Sequence, residues 1–360
     1  MTAPVRLAVV GGGWRAEFFT RLAGLLPDRF TLVGAAARTP ETVERLGRQW
    51  GVPAYGSAAE LVDAQHPELV VSSVPRTENP HVLADLVGRG VHVLTETPPA
   101  SDEAALAALW SSLGARDLVH VAEQYPSMPT HAARQEVVRR GHIGRPTSVQ
   151  VSSTHDYHAV ALMRRHLGVG LGPTRVSATS LTAPLVDPLR RSGWTDDPEP
   201  KEAATVLATI DFGDGASGLY DFTDNQWHNR LRRRRMVVRG SSGEIVDDTV
   251  VGLVAERTVV TATIARSQLG HDLNLDGADT EHLSLGMEVL WRNPFLGLRL
   301  MDEEIAIASV MVDAAGWARD EGPGPYPLAD ACHDHLVSLA VHRSLATGAP
   351  VDTPLPPWAR

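Results

Sequence analysis

RLAVVGGGWRAEFF, residues 6–19, decides how the rest of this 360-residue chain is read. Leu7, Ala8, Val9 and Val10 form a short apolar run, the pattern of a strand buried on both faces. Three glycines follow, then a helix-like run over residues 14–26. Gly11, Gly13 and Ala16 fill the three small positions of a dinucleotide-binding turn. The first glycine makes the tight turn and the second lets a pyrophosphate approach the backbone. The third small residue lets the helix lie close on the sheet. The helix start, with Trp14 and Arg15 in its first turn, offers unpaired N–H groups and a positive dipole end to phosphates. A glycine triplet alone also occurs in purely structural turns. Its place here, after a buried-strand pattern and before a helix, favours a nucleotide.

Strand and helix patterns then alternate for about a hundred residues, which predicts a parallel, doubly wound sheet. Strands are expected over residues 31–36, 69–74, 92–95 and 118–121. Thr39 with Pro40 predicts a capped helix start, and Gly51 its end. Ser57 and Glu60 have capping-box spacing. Asn79 with Pro80 repeats the cap-plus-proline start, and Ser101 is read as the cap of a helix running to Leu113. After the second strand comes Ala37, then Arg38, with no acid before Glu41. An acid there suits the ribose hydroxyls of NAD, whereas an Arg suits the extra phosphate of NADP. The reading is therefore NAD(P), leaning to NADP. Alternatively, Arg38 is a solvated residue at a helix start.

Composition bounds the remainder. The length suggests two domains. An apolar fraction of 43% and a charged fraction of 21% are those of an ordinary globular protein. The net charge of −10 gives no support to nucleic-acid binding. One cysteine, Cys332, excludes a disulfide framework and a cysteine-rich metal site. No apolar run approaches membrane-spanning length, and the first strand starts too early for a removable signal. The expectation is a cytoplasmic protein with no membrane partner.

PRTENPHVLADLVGRG and VHVLTETPPA, residues 75–100, resemble the Gfo/Idh/MocA oxidoreductase family. The resemblance implies an α/β chain with an N-terminal Rossmann domain, residues 1–122. It also implies a C-terminal α+β domain, residues 123–360, with a large, mostly antiparallel open sheet. Those proteins use NAD(P), mostly on sugars, inositols and related polyols. Their third strand ends in a proline-led loop with a His a few residues on, matched by Pro75 and His81. Their Glu-Lys-Pro tripeptide is matched by Glu96, Thr97 and Pro98, and its X-Pro bond is commonly cis. The family's Lys positions the reacting hydroxyl and assists proton transfer, and Thr97 stands in its place. A Thr hydroxyl donates or accepts a hydrogen bond but is no general base near neutrality.

The resemblance continues more weakly to the C-terminus. Glu123, Gln124 and Tyr125 fall where the family's second domain begins and are expected to line the substrate site. Residues 130–140 read as a helix stopped by Gly141, leading into the first strand of the large sheet. In THDYHAVALMRRHLG, residues 154–168, His158, Arg164 and Gly168 match a family helix that carries a His, an Arg six residues on and a Gly ten on. The family's acid four residues before the His is replaced by Thr154, and a second acid slot by Ala161. His158 is thereby the expected proton-transfer residue, since imidazole titrates near neutrality. Asp156 and Tyr157 are further catalytic candidates, and His155 a substrate contact. The other reading is a helix start where Asp156 favours the dipole and the histidines bond backbone or water. No second His stands four residues from His155, so no metal site is expected.

Strands are also expected over residues 175–181, 203–210, 218–222, 232–238 and 244–248, with DFGDGASG, residues 211–218, as a hairpin. Residues 187–200 are too polar for core and read as a loop over the cleft or at an interface. Of the five arginines between Arg230 and Arg235, Arg232 and Arg234 would face one side of a strand, and Arg233 and Arg235 the other. They form a solvated face or subunit contact, or one or two reach an anionic substrate group. Trp227 and His228 line a sugar-binding wall or belong to the core, and the helix with Cys332, His333 and His335 is scaffold. The expected function is hydride transfer between NAD(P) and a carbohydrate-like small molecule, in a homodimer or homotetramer joined through the sheet. Two alternatives are a redox-neutral glycoside hydrolase or lyase working by transient oxidation and elimination, and a nucleotide-binding protein without catalysis.

Overall fold

The computed structural model describes residues 3–270 and 279–359. The chain divides into two compact units, residues 1–128 with 297–332, and residues 129–296 with 333–360. The first begins with β1 (Val5–Val10), α1 (Trp14–Leu25), β2 (Phe30–Ala36), α2 (Pro40–Trp50), β3 (Ala54–Tyr55) and α3 (Ala58–Gln65). It continues with β4 (Leu69–Ser72), α4 (Asn79–Gly88), β5 (His92–Thr95), α5 (Glu103–Leu113) and β6 (Val119–Val121). The six strands form one parallel sheet in the order β3-β2-β1-β4-β5-β6. The order reverses beside β1, at the crevice where doubly wound sheets take ligands. Leu7, Ala8 and Val9 are fully buried, as a strand covered on both faces requires.

Local signals set most helix ends. The Thr39 hydroxyl accepts the Thr42 N–H at 3.3 Å, and Gly51 closes α2 at φ +65°. The Ser57 hydroxyl accepts the Glu60 N–H at 3.2 Å. Two expected caps move. Asn79 is the first residue of α4 rather than its cap, and its side chain turns into the core. Asp102, not Ser101, caps α5 by accepting the Ala105 N–H at 3.0 Å, while Ser101 donates to that carboxylate. A carboxylate is the stronger acceptor at a helix start, since the dipole adds to the hydrogen bond.

The second unit contains α6 (Pro129–Arg139), β7 (Pro146–Ser152), α7 (Asp156–Leu167), β8 (Arg175–Leu185), β9 (Leu189–Arg190), β10 (Gly193–Trp194) and β11 (Lys201–Gly213). Next come β12 (Ala216–Thr223), β13 (Arg235–Gly240), β14 (Gly243–Val246), β15 (Thr249–Ala255), β16 (Thr258–Leu269), β17 (Asp279–Leu285) and β18 (Glu288–Arg292). Helix α8 (Asp302–Trp317) belongs to the first unit, α9 (Leu328–Thr347) crosses from the first range to the second, and β19 (Val351–Asp352) ends the large sheet. That sheet has eleven strands in the order β18-β17-β16-β15-β14-β13-β7-β12-β11-β8-β19, antiparallel except for the β7–β12 pair.

The expected hairpin joins β11 to β12 through Asp214 and Gly215, at φ +51° and +75°. Two residues with positive φ make the turn whose twist matches the flanking strands. The polar stretch over residues 187–200 holds a small hairpin, β9 with β10, instead of an open loop. The arginine run also differs from expectation. Strand β13 starts only at Arg235, so Arg232, Arg233 and Arg234 lie before it and do not alternate across a sheet. Gln226 holds the turn ahead of them, its amide donating to the carbonyls of Ser152 and Arg233 at 2.8 and 3.1 Å. Among the described residues no helix is long and apolar enough to cross a membrane.

Candidate functional site

The sequence-predicted residues fall into two groups, one in each unit. In the first unit, the turn after β1 is shaped by two glycines with different reasons to be glycine. Gly11 sits at φ +131°, and a Cβ there would come within 2.1 Å of the Ser73 carbonyl oxygen. Gly13 faces open space, with nothing among the described residues within 4 Å of a Cβ built on it. It stands at the N-cap position of α1. Open space at a helix N-terminus is what a pyrophosphate requires, so this turn fits the group. Trp14 is half exposed. Arg15 turns inward, donating to Glu96 and, at 3.2 Å, to Glu303 of α8. Burial works against its charge, but Glu96 and then Glu303 outweigh that and hold its proton more firmly than usual. The Arg15–Glu96 pair therefore ties the glycine turn to the segment after β5.

That segment has the expected form: the Thr97–Pro98 peptide is cis. The Glu96 carboxylate also accepts the Thr97 N–H at 3.3 Å. Behind it lies a polar node that sequence reading misassigned. Asn79 is 2% exposed. Its Oδ1 accepts from Ser72 at 3.0 Å, and its Nδ2 donates to the Thr95 hydroxyl at 2.8 Å and the Pro99 carbonyl at 3.1 Å. Three chain segments at the sheet's C-terminal edge are thereby held by one amide. Pro75 and His81 are both exposed, and the Pro75 carbonyl accepts the N–H groups of Glu78 and Asn79. Arg38 is exposed after β2, 3.4 Å from Glu78. Glu123 is buried and accepts the Tyr125 N–H at 3.1 Å. Gln124 is also buried, and among the described residues its Oε1 has no hydrogen-bond partner.

In the second unit, the start of α7 gathers imidazoles, a carboxylate and aromatic rings. Asp156 stands at φ +48°, a conformation uncommon for any residue but glycine. Three contacts hold it there. Its N–H donates to the Tyr220 hydroxyl at 3.2 Å, Oδ2 accepts from His155 Nδ1 at 3.2 Å, and Oδ1 accepts from His342 Nε2 at 3.0 Å. Burial works against the Asp156 charge, but the two imidazole hydrogen bonds outweigh it and hold the carboxyl below its usual range. Conversely, the bond to Asp156 raises His342 against the effect of burial. Burial, and then the Asp156 charge, push the Tyr220 hydroxyl up.

The His155 ring centroid lies 4.9 Å from Trp227, 5.9 Å from Phe222 and 5.3 Å from His158. Tyr157 packs 4.4 Å from His158 and 5.5 Å from His335. His158 is buried, 7% exposed. Arg164 is engaged in structure: Nη1 donates to Asp334 at 2.6 Å, with side chains 4% and 3% exposed. Thr154 is fully buried, and among the described residues its hydroxyl has no hydrogen-bond partner. Sequence reading missed His342, Asp334 and Glu303. Each lies far along the chain from the residue it pairs with, and no local pattern marks it. Among the described residues, no three His, Cys, Asp or Glu side chains group to hold a metal ion.

Residues 5–124 match the Gfo/Idh/MocA oxidoreductase family, NAD-binding Rossmann fold. No protein of curated function matches the chain by sequence. Among solved structures, an oxidoreductase from Agrobacterium radiobacter in complex with NAD+, L-tartaric acid and magnesium superposes with a TM-score of 0.71 at 15% identity, covering 97% of this chain and 98% of that one. Levoglucosan dehydrogenase in complex with NADH and levoglucosan gives 0.69 at 18% identity, covering 98% and 100%. An NAD-binding oxidoreductase from Klebsiella pneumoniae gives 0.68 at 16% identity, covering 97% and 99%. At these identities the likeness is one of fold, extending over both units. Residues 5–124 thus carry the NAD-binding Rossmann fold of the Gfo/Idh/MocA oxidoreductase family, and beyond them the likeness is one of fold.

Proposed function

We propose that the protein transfers hydride between a nicotinamide dinucleotide and a carbon of a sugar, polyol or glycoside. The observation that carries this reading is the cluster at the start of α7, where His155 packs against Trp227 and Phe222 and also contacts Asp156, Tyr157 and His158. Flat rings pack against the C–H faces of a carbohydrate, while imidazoles and a carboxylate bind its hydroxyls and exchange a proton. Levoglucosan dehydrogenase, of the same fold, is bound to levoglucosan and to L-sorbose in its solved complexes. When bound, the nicotinamide supplies the hydride acceptor or donor.

The chain's own residues do the rest. The peptide groups at Gly11 and Gly13, with the first turn of α1 at Trp14 and Arg15, bind the pyrophosphate. Pro75, His81, Glu96 and Pro98 shape the nicotinamide side. The Thr97 hydroxyl orients the substrate hydroxyl without titrating, and a ring nitrogen of His158 takes or returns the hydroxyl proton, with Asp156 and Tyr157 beside it. Glu123, Gln124, Tyr125 and His155 hold the remaining hydroxyls. Arg38, exposed and 3.4 Å from Glu78, would meet the extra phosphate of NADP. Leu181, Leu253, Val254, Val259 and Val260 are exposed on the large sheet, where we place a subunit contact.

His158→Ala tests the reading. It is expected to lose about 10²–10⁴-fold in turnover, the usual contribution of a positioned acid–base group, while nucleotide affinity is kept. Near-full activity in this variant would remove His158 from the role. Nicotinamide absorbance should change in step with substrate consumed. Product released with no net change would assign the redox-neutral reaction instead. Arg38→Ala should weaken NADP about tenfold more than NAD, the scale of one charge-assisted hydrogen bond. Equal effects would take NADP preference away from Arg38.

A further inference from the structure

The imidazole of His342 meets the site through Asp156 and, by distance along the chain, has no local reason to be there: the two residues are 186 positions apart. A carboxylate following a histidine in sequence is ordinarily free to turn into solvent. Asp156 is not. Each of its oxygens is taken by a different imidazole, and its backbone N–H is taken by Tyr220. Its left-handed backbone is thereby fixed from three sides. The His155 ring is fixed in turn, with Trp227, Phe222, Tyr157 and His158 all within 6.0 Å of its centroid.

A neutral imidazole has one donor nitrogen and one acceptor nitrogen, and the hydrogen bond at one decides the character of the other. His155 Nδ1 lies against a carboxylate that can only accept. Among the described residues no hydrogen bond reaches Nε2, and about a third of the side chain, 32%, is exposed. We propose that His342 is a positioning residue: it braces Asp156 so that the carboxylate holds His155 with Nδ1 protonated and Nε2 left as the acceptor for a substrate hydroxyl. The identity of that hydroxyl rests on the proposed carbohydrate reaction. The tautomer does not, and it is read on the protein alone.

The experiment is nitrogen NMR of the full chain labelled at histidine, without substrate or cofactor, above the pH where imidazoles titrate. His155 is expected almost wholly as the Nδ1–H form. Asp156→Ala should abolish that preference, and His342→Ala should leave a mixture. His342→Gln, whose amide can donate to the same carboxylate oxygen, should restore the wild-type ratio, which a merely structural loss would not allow. His166 is the internal reference, because its Nδ1 donates to the Leu162 carbonyl at 2.8 Å in the same helix. Its signal should stay fixed in all variants. A wild-type His155 in the Nε2–H form would overturn the proposal, as would a tautomer ratio unchanged in His342→Ala. A chain that carried the expected tautomer yet turned over no carbohydrate would leave this inference standing and remove only the proposed reaction.

Discussion

At Gly13 the first unit offers a peptide group and open space, whereas at Asp156 the second unit offers side chains clamped by other side chains. The difference follows from what each must present. A phosphate is met by N–H groups, which every peptide carries, so the sequence need only keep side chains away. A proton-exchanging group must be a particular side chain in a particular orientation, and something else must hold it. The first kind of site is built by residues within a few positions of each other. The second joins His155 and Asp156 to His342, and Arg164 to Asp334.

The largest test of this contrast is the Arg164–Asp334 pair beneath α7. Both groups are buried, so Asp334→Ala would take the Asp334 carboxylate from a buried guanidinium that also donates to the Gly170 carbonyl. Breaking such a pair typically costs about 3–5 kcal/mol. The expected outcome is a loss of that order in unfolding free energy, seen in the second unit by denaturant titration. A loss under about 1 kcal/mol would mean that Arg164 finds water or another acceptor, and that the long-range clamp does not hold the helix.

The counterpart in the first unit is Asn79. Asn79→Ala removes the bonds to Ser72, Thr95 and Pro99 and leaves buried groups of those residues without this partner. The expected cost is about 1–3 kcal/mol, smaller because every group involved is neutral. Nucleotide affinity should fall with it if this node holds the loop carrying Thr97 and Pro98. An affinity unchanged while stability drops would make Asn79 a scaffold residue only. A stability cost larger than that of Asp334→Ala would reverse the contrast between the units.

The same physics decides what could be read from the chain. The parallel sheet, the glycine turn and the caps at Thr39 and Ser57 all follow from residues within a few positions, and they were legible. So was the two-residue turn at Asp214 and Gly215. Asn79 was misread because a residue before proline at a helix start has the composition of a cap, and only the fold shows Ser72, Thr95 and Pro99 around it. The arginine run was misread for a similar reason: its period of two holds only inside a strand, and the turn held by Gln226 delays β13 to Arg235. His342 and Asp334 were illegible, since α9 reads as scaffold until its distance from α7 is known.

The smallest effect expected is the pH dependence carried by His342, and it tests the clamp most directly. His342 is raised above its ordinary value of 6.5 by the bond to Asp156. A raised base stabilises the fold fully below its unfolded value, and that stabilisation is lost as pH rises through the folded value. Asp156 is lowered from its ordinary 3.8, so its contribution is present above that value and is lost as pH falls. The pair is therefore at full strength between these two ordinary values. The His342 side chain is 55% exposed, so solvent screens the pair and its worth is at most about 1 kcal/mol. Wild type should exceed His342→Gln in stability near pH 5.5, and the gap should close toward pH 8.5, since Gln keeps the hydrogen bond without the charge. A gap that stays constant across this range would show that His342 does not titrate against Asp156, and that of the two imidazoles His155 alone holds the carboxylate.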